Sequence, residues 1–197
     1  MNFIFLCLLA YFMGSIPTGY VLTKYFAHID IRQIGSSSTG TTNVLRSGHK
    51  KIAIFTLIFD ILKGSIIAII SSKYFCGYTT VIPCFICVLG HVYPIWLKFK
   101  GGKGVATIAG IFIVLFPIIT IISAIFWGII AKFSKISSIA SLSFSIISTI
   151  LINLDYFMGY SIEHKSYPIF SIVLLVFLLY THKSNIKRLF QNQENSF

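Results

Sequence analysis

Two short polar stretches hold most of the residues that could grip an anion. The first reads Gly35-Ser36-Ser37-Ser38-Thr39-Gly40-Thr41-Thr42-Asn43-Val44-Leu45-Arg46 and ends on a cation. The second, Lys98-Phe99-Lys100-Gly101-Gly102-Lys103-Gly104, sets three lysines among three glycines. Glycine lets backbone N–H groups turn toward a ligand, hydroxyls add donors, and Lys or Arg supply charge; together these suit phosphate. Gly35-x4-Gly40-Thr41-Thr42 has the outline of a P-loop but lacks its lysine and the buried strand before it, so that motif is excluded.

Groups for acid–base or metal chemistry are scarce. The chain has five acids, Asp30, Asp60, Asp155, Glu163 and Glu194. No paired-carboxylate metal site, Gly-x-Ser-x-Gly elbow or His-x4-Asp arrangement is present. Cys84-x-x-Cys87 has no second pair and no histidine cluster at ligand spacing, so it reads as small core residues, and no metal or cofactor is expected. An already activated, phosphorylated substrate would need little help from such groups. Among the histidines, His182 opens the segment Thr181-His182-Lys183-Ser184-Asn185, where continued helix would gather donors around one mouth. His91 stands close enough to the second loop to brace it, while His28, His49 and His164 are loop residues without a constellation.

The elements that must position these groups are greasy. The chain is 56% hydrophobic and 11% charged, with a mean hydropathy of +0.87; soluble domains carry roughly a quarter charged residues. Apolar runs lie at about 2–22, 52–72, 78–97, 105–131, 136–154 and 166–181. In lipid the backbone must satisfy itself, which favours helices, and the alternation of an outer-membrane strand is missing. With no Lys or Arg before Lys24, the first run is expected to be a retained helix rather than a cleaved signal. The tail after Lys183 is expected to be frayed or amphipathic.

Charge fixes the expected topology. The basic loops after the first, third, fourth and last runs should all be cytoplasmic. Six simple passes cannot achieve that; a hairpin within 105–131, broken at Pro117, restores the parity. The expectation is an all-α, single-domain polytopic protein of about seven transmembrane helices, with the N-terminus outside and the C-terminus cytoplasmic. Inside the second helix, Asp60 and Lys63 lie three apart on one face, tolerable there as an ion pair that clips helices or serves the site. Ser15, between Gly14 and Pro17, marks a disruption of the first helix that either packs closely or lines a polar cavity.

The chain resembles the bacterial acyl-phosphate-dependent glycerol-3-phosphate acyltransferases of the inner membrane. The matching stretches are Gly14-Ser15-Ile16-Pro17, Ile31-Arg32-x-Ile34-Gly35-Ser36, Thr42-Asn43-Val44-Leu45-Arg46, Asp60-x-x-Lys63-Gly64, Gly90-His91-x-Tyr93-Pro94, Phe99 through Thr107, Ser137 through Ser141, and His182-Lys183-x-Asn185-Ile186-x-Arg188-Leu189. Ser37 and Ser38 replace a usual Gly-Asn, and Ser184 stands where an acid is common. The resemblance implies seven helices and acyl transfer from acyl phosphate to glycerol 3-phosphate, releasing lysophosphatidic acid and phosphate. It implies a cytoplasm-facing pocket with Ser36, Arg46, Lys103, His182 and Asn185 as catalytic groups. Asn43, Gly101, Gly102, Gly104 and Ser138 would bind substrate phosphate, and Ser15, Arg32, Asp60, Lys63 and His91 would support them. The proton acceptor is either His182 or a substrate phosphate oxygen.

A transporter for a phosphorylated solute is the alternative, since basic loops and an intramembrane ion pair fit it too; no internal repeat favours it. A purely structural membrane subunit would leave both glycine loops surplus. The net charge of +11 suits anionic membrane lipid, whereas the dispersal of basic residues among short loops argues against nucleic acid. Oligomeric state stays open, a monomer included.

Overall fold

The computed structural model describes residues 1–160, 162 and 164–196; Glu163 lies outside the described residues. Among the described residues every regular element is helical: α1 (Phe3–Ser15), α2 (Thr18–Phe26), α3 (Thr41–Arg46), α4 (Lys50–Tyr74), α5 (Tyr78–Val92), α6 (Val105–Leu115), α7 (Pro117–Ser134), α8 (Ser137–Met158), α9 (Ser166–Thr181) and α10 (Lys183–Phe190), joined in places by short 3-10 turns.

The side-chain distribution is that of a membrane protein. On α8 the buried face carries Ser137, Ser138, Ser141, Ser145, Ser148 and Thr149, while Ile146, Ile150 and Leu154 face out. On α7, Thr120 and Ser123 are buried and Ile118, Ile121, Ile125, Phe126 and Ile129 are exposed. Lipid tails solvate isoleucine as well as a protein core does, so small residues take the helix contacts. Gly14 of α1 lies against the Cys87 backbone of α5, and Gly90 of α5 against the backbone of Tyr11 and Ser15. A Cβ at either place would overlap main chain, so these glycines set the α1–α5 approach.

Among the described residues, five stretches are long and apolar enough to cross a bilayer: Phe3–Phe26, Lys50–Tyr74, Tyr78–Leu97, Pro117–Ser134 and Ser137–Met158. The pair α9 and α10, bent by 62°, makes a sixth when the two are counted as one span. Helix α6, at 11 residues, is about 16 Å long, roughly half of a hydrocarbon core. The expected seven helical segments are therefore not seven full-length spans. The break at Pro117 is present, because α6 ends at Leu115 and α7 starts on the proline. Lys103 and Gly104 before α6 line the same cavity as Ser137 and Ser138 after α7. The chain between them must leave that side and come back, which a single tilted helix cannot do.

Proline also breaks the first span. Helix α1 stops at Ser15 and α2 begins at Thr18, after Pro17, leaving the Ile16 carbonyl without its helical partner. Lys63 Nζ on α4 donates to that carbonyl at 3.3 Å. The same ammonium pairs with Asp60 at 2.8 Å and donates to His91 Nδ1 on α5 at 2.8 Å, while Thr18 Oγ1 donates to Asp60 at 3.2 Å. Asp60 and Lys63 are 2% and 5% exposed. Such charges are tolerable inside a bundle only when paired and hydrogen-bonded, and this cluster ties three helices together.

Candidate active site

The first polar stretch is shaped from within by Asn43. Its Nδ2 donates to the carbonyls of Ile31, Ile34 and Ser38 at 3.1, 3.0 and 2.8 Å, and its Oδ1 accepts the Ser36 N–H at 3.0 Å. At 2% exposure it has no amide hydrogen left for a substrate, so the expected phosphate ligand is instead the latch that folds the loop. Thr42 and Ser137 hydroxyls meet at 2.8 Å, docking the loop onto the start of α8. Arg46 closes the loop and points into the cavity.

The second polar stretch also departs from expectation. The Gly101 N–H donates to the Val92 carbonyl at 3.0 Å and the Gly102 N–H to the His91 carbonyl at 3.1 Å. Neither is free for phosphate. Glycine is required here for close approach: a Cβ on Gly102 would overlap His91 Nε2 and stand 2.7 Å from Cε1, and one on Gly101 would lie 2.5 Å from Pro94 Cδ. Gly104 enters α6 with φ +97°, a left-handed conformation costly for other residues. Lys103 between them is the residue the loop delivers. Thr181 Oγ1 donates to the Lys103 carbonyl at 3.2 Å, fixing the loop to the end of α9.

The bend between α9 and α10 supplies the third wall. His182 is 2% exposed and its Nδ1 lies 2.9 Å from the Leu178 carbonyl. A carbonyl only accepts, so Nδ1 carries the proton and Nε2 is left as an acceptor. Asn185 Oδ1 accepts from Lys103 Nζ, and Asn185 Nδ2 donates to Glu194 at 2.6 Å. Glu194 also accepts from Ser138 Oγ at 3.2 Å and from Arg188 Nε at 2.7 Å. The tail is thus folded over the mouth rather than frayed, and Arg46 holds it further along, donating to the carbonyls of Ser196 and Asn195 at 2.9 and 2.6 Å.

These walls enclose a cavity of about 490 Å³. Its mouth is polar, with Ser36, Arg46, Lys103, Ser138, His182 and Asn185 all lining it. Deeper, Leu57 and Ile61 of α4, Ala106 and Ala109 of α6, Ala124 and Trp127 of α7 and Phe144 of α8 make an apolar lobe. Asp60 and His91 also line the cavity. Burial lowers the Lys103 ammonium to about 8, with Glu194 opposing the fall and Arg188 and Arg46 adding to it. Burial likewise brings His182 down to about 4, with the Lys103 charge contributing. Burial would raise Glu194, but hydrogen bonds from Asn185 and Arg188 outweigh it and hold the carboxyl below the usual range.

Of the sequence candidates, Ser36, Asn43, Arg46, Lys103, Gly104, Ser138, His182 and Asn185 come together at this cavity. Gly101 and Gly102 stand behind it, as does Lys63. Ser15 is fully buried with its hydroxyl unpaired, in the α1–α5 contact and away from the cavity lining. Arg32 is apart: it pairs with Asp30 at 2.6 Å and stacks over the Tyr20 ring, 4.6 Å from the centroid. Sequence reasoning named Ser38, Thr41 and Thr42 only as part of the first polar stretch and Ser137 only within a matching stretch, and it missed Lys50 and Glu194 as lining residues. The hydroxyls carried a signal in their density; Glu194 carried none.

A protein-family model described as glycerol-3-phosphate acyltransferase matches residues 4–192. The glycerol-3-phosphate acyltransferase of Pelagibacter ubique is 39% identical over 195 residues, covering 98% of this chain and 97% of that protein. The one from Ruthia magnifica is 44% identical over 196 residues, covering 98% and 95%. Among solved structures, the crystal structure of PlsY (YgiH), an integral membrane glycerol 3-phosphate acyltransferase, in its glycerol 3-phosphate form superposes with a TM-score of 0.91 at 34% identity, covering 99% of this chain and 95% of that one. Its lysophosphatidic acid form gives 0.88 at 32%, with the same coverage. The transporter reading loses its ground. Family model, relatives and solved folds agree: the chain belongs to the integral-membrane glycerol-3-phosphate acyltransferases, enzymes that move an acyl group onto glycerol 3-phosphate.

Proposed function

We propose that the acyl donor is an acyl phosphate, that the products are lysophosphatidic acid and inorganic phosphate, and that the reaction takes place in the cavity at the cytoplasmic face of the bacterial inner membrane. The observation carrying this reading is the continuity of the cavity, from a mouth ringed by Arg46, Lys103, Ser138 and Asn185 to the apolar lobe between α4, α6, α7 and α8. A donor with a phosphate head and a fatty tail matches that gradient along its own length.

The primary hydroxyl of glycerol 3-phosphate attacks the acyl carbonyl carbon. The new C–O ester bond forms, the bond from that carbon to the phosphate oxygen breaks, and the hydroxyl proton leaves with or on phosphate. Two dianionic partners repel in the absence of countercharge; Lys103 and Arg46 offset that repulsion. Ser36, Ser138 and Asn185 contribute neutral donors where negative charge develops on the carbonyl oxygen. No metal or cofactor is required, because phosphate is already a good leaving group. His182 offers Nε2 as an acceptor, yet its depressed pKa makes it a weak base. We therefore assign the proton to a substrate phosphate oxygen and a binding role to His182. The N-terminus then lies outside and the C-terminus in the cytoplasm, with one chain sufficient for the site.

Purified protein in lipid, given radiolabelled glycerol 3-phosphate with acyl phosphate, acyl-CoA or acyl carrier protein in turn, tests the donor. Lysophosphatidic acid and phosphate should form with acyl phosphate alone; equal turnover with a thioester would refute the assignment. His182→Gln should keep most turnover at saturating substrates, whereas a collapse of kcat would restore histidine as the base. Labelling single cysteines beside Arg46 and His182 from the cytoplasmic side checks the orientation.

A further inference from the structure

The last acid of the chain sits where a substrate anion is expected. Past α10 the chain reverses: Asn192 takes a left-handed φ of 54° and the Gln193 N–H donates to the Arg188 carbonyl at 2.8 Å. That turn carries Glu194 over the mouth, where its side chain is only 1% exposed. One carboxylate oxygen accepts from Asn185 and Ser138, the other from Arg188. The backbone just beyond takes the Nε–H and one Nη2–H of Arg46. A carboxylate is an anionic, acceptor-only group, like a phosphate with fewer oxygens. The same donors thus serve the tail and any incoming phosphate, and they cannot serve both. The family model ends at residue 192, two residues short of Glu194.

We propose that Glu194 is a built-in competitor: a strap of residues 191–196 that fills the phosphate position in the resting enzyme and must be displaced before a phosphorylated substrate binds. This rests on the reading of the mouth as the phosphate site. When only a fraction of the enzyme is open, apparent affinity falls by that fraction. Three charge-assisted hydrogen bonds, offset by the ordering of a short tail, make about a tenfold effect the expected size. The strap weakens retention of the phosphate product as much as capture of the substrate.

Glu194→Ala and Glu194→Gln in the full-length chain, purified in lipid, test this. The measurements are the dissociation constant for inorganic phosphate by calorimetry and the KM for glycerol 3-phosphate and for acyl phosphate. The alanine variant should bind phosphate about tenfold more tightly, and the glutamine variant should fall between it and the parent. The substrate whose KM drops in parallel is the one whose phosphate Glu194 displaces, and kcat should not decline. Unchanged phosphate affinity in both variants overturns the strap, as does a fall in kcat at constant KM, which would make Glu194 part of the chemistry. Phosphate binding needs no turnover, so failure of acyl phosphate as donor leaves this test standing. Tighter phosphate binding without any acyl transfer would sink the donor assignment alone.

Discussion

Replacing Lys103 with arginine should remove an alkaline limb from the pH profile of kcat/KM. Lys103 is the cation that the glycine loop delivers to the mouth, and burial lowers its pKa to about 8. Its ordinary value is near 10.5, so the folded state holds this proton less tightly than the unfolded chain. The charge is therefore present at neutral pH and lost as pH rises through about 8. For a group titrating there, roughly nine-tenths is charged at pH 7 and roughly one-tenth at pH 9. If phosphate capture needs that charge, kcat/KM should fall about tenfold between those values, because it reports the free enzyme. A guanidinium stays protonated throughout. Lys103→Arg should then lose some activity at pH 7 from altered reach, yet run flat to pH 9.5. Lys103→Gln should be depressed about 10- to 100-fold at pH 7, the cost of a charged hydrogen bond to phosphate, and the gap to the parent should close as pH rises past 8. Initial rates at low substrate, in constant-ionic-strength buffers, give the profiles. An alkaline limb of unchanged position in Lys103→Arg would refute the assignment of this titration to Lys103.

Gly102→Ala should lower the melting temperature in detergent or lipid, because its Cβ would overlap the His91 ring and overpacking costs about 1–3 kcal/mol; Gly128→Ala, with nothing within 4 Å, is the neutral control. A Gly102→Ala enzyme as stable as its parent would discard the packing role. Asn43→Ala removes four hydrogen bonds; the Ile31 and Ile34 carbonyls keep the N–H groups of Ile34 and Ser37, but the Ser38 carbonyl and the Ser36 N–H lose their partner, and at about 1–3 kcal/mol for each group left buried and unpaired the change should reduce stability and raise KM together. A pure KM effect with unaltered thermal unfolding would return Asn43 to the role of ligand. Asp60→Asn leaves the Lys63 charge buried and should cost about 3–5 kcal/mol, whereas the double change with Lys63→Met should recover much of it. Additive losses across that cycle would mean the two side chains are not coupled.

Much of the site could be read in the chain because polar residues are conspicuous against a greasy background. The glycines and lysines of 98–104, the hydroxyls of 36–42 and the i,i+3 charges on α4 each stood out locally. Charge parity alone required the turn at Pro117. Other assignments depended on partners that no local pattern encodes. Nothing in Gly101-Gly102 tells whether their N–H groups face a ligand or the Val92 and His91 carbonyls, which lie about ten residues earlier. Asn43 looked like a donor to phosphate because donors are what an amide offers; its three carbonyl partners appear only once the loop is folded. Glu194 was hidden for a different reason. An isolated acid in a polar tail is ordinary, and only the reversal at Asn192 brings it to Ser138, over fifty residues away in the chain.

The membrane interior and the water-facing mouth are mechanically one structure. At the break around Pro17 the Ile16 carbonyl accepts the Thr18 N–H and, as a second donor, Lys63, while Asp60 holds Lys63 and accepts from the Thr18 hydroxyl beyond the break. Lys63 also fixes the His91 ring from its Nδ1 edge, and the opposite edge is the surface against which Gly102 packs. One residue further on is Lys103, whose carbonyl is tied to Thr181 at the start of the bend that carries His182 and Asn185. A cation that must meet a dianion within a fraction of an ångström gains from such support, since preorganised charge need not be reoriented during the reaction. If the proposed site is right, the charged cluster in the bilayer would serve the chemistry through support, since it holds the His91 face on which the glycine loop rests.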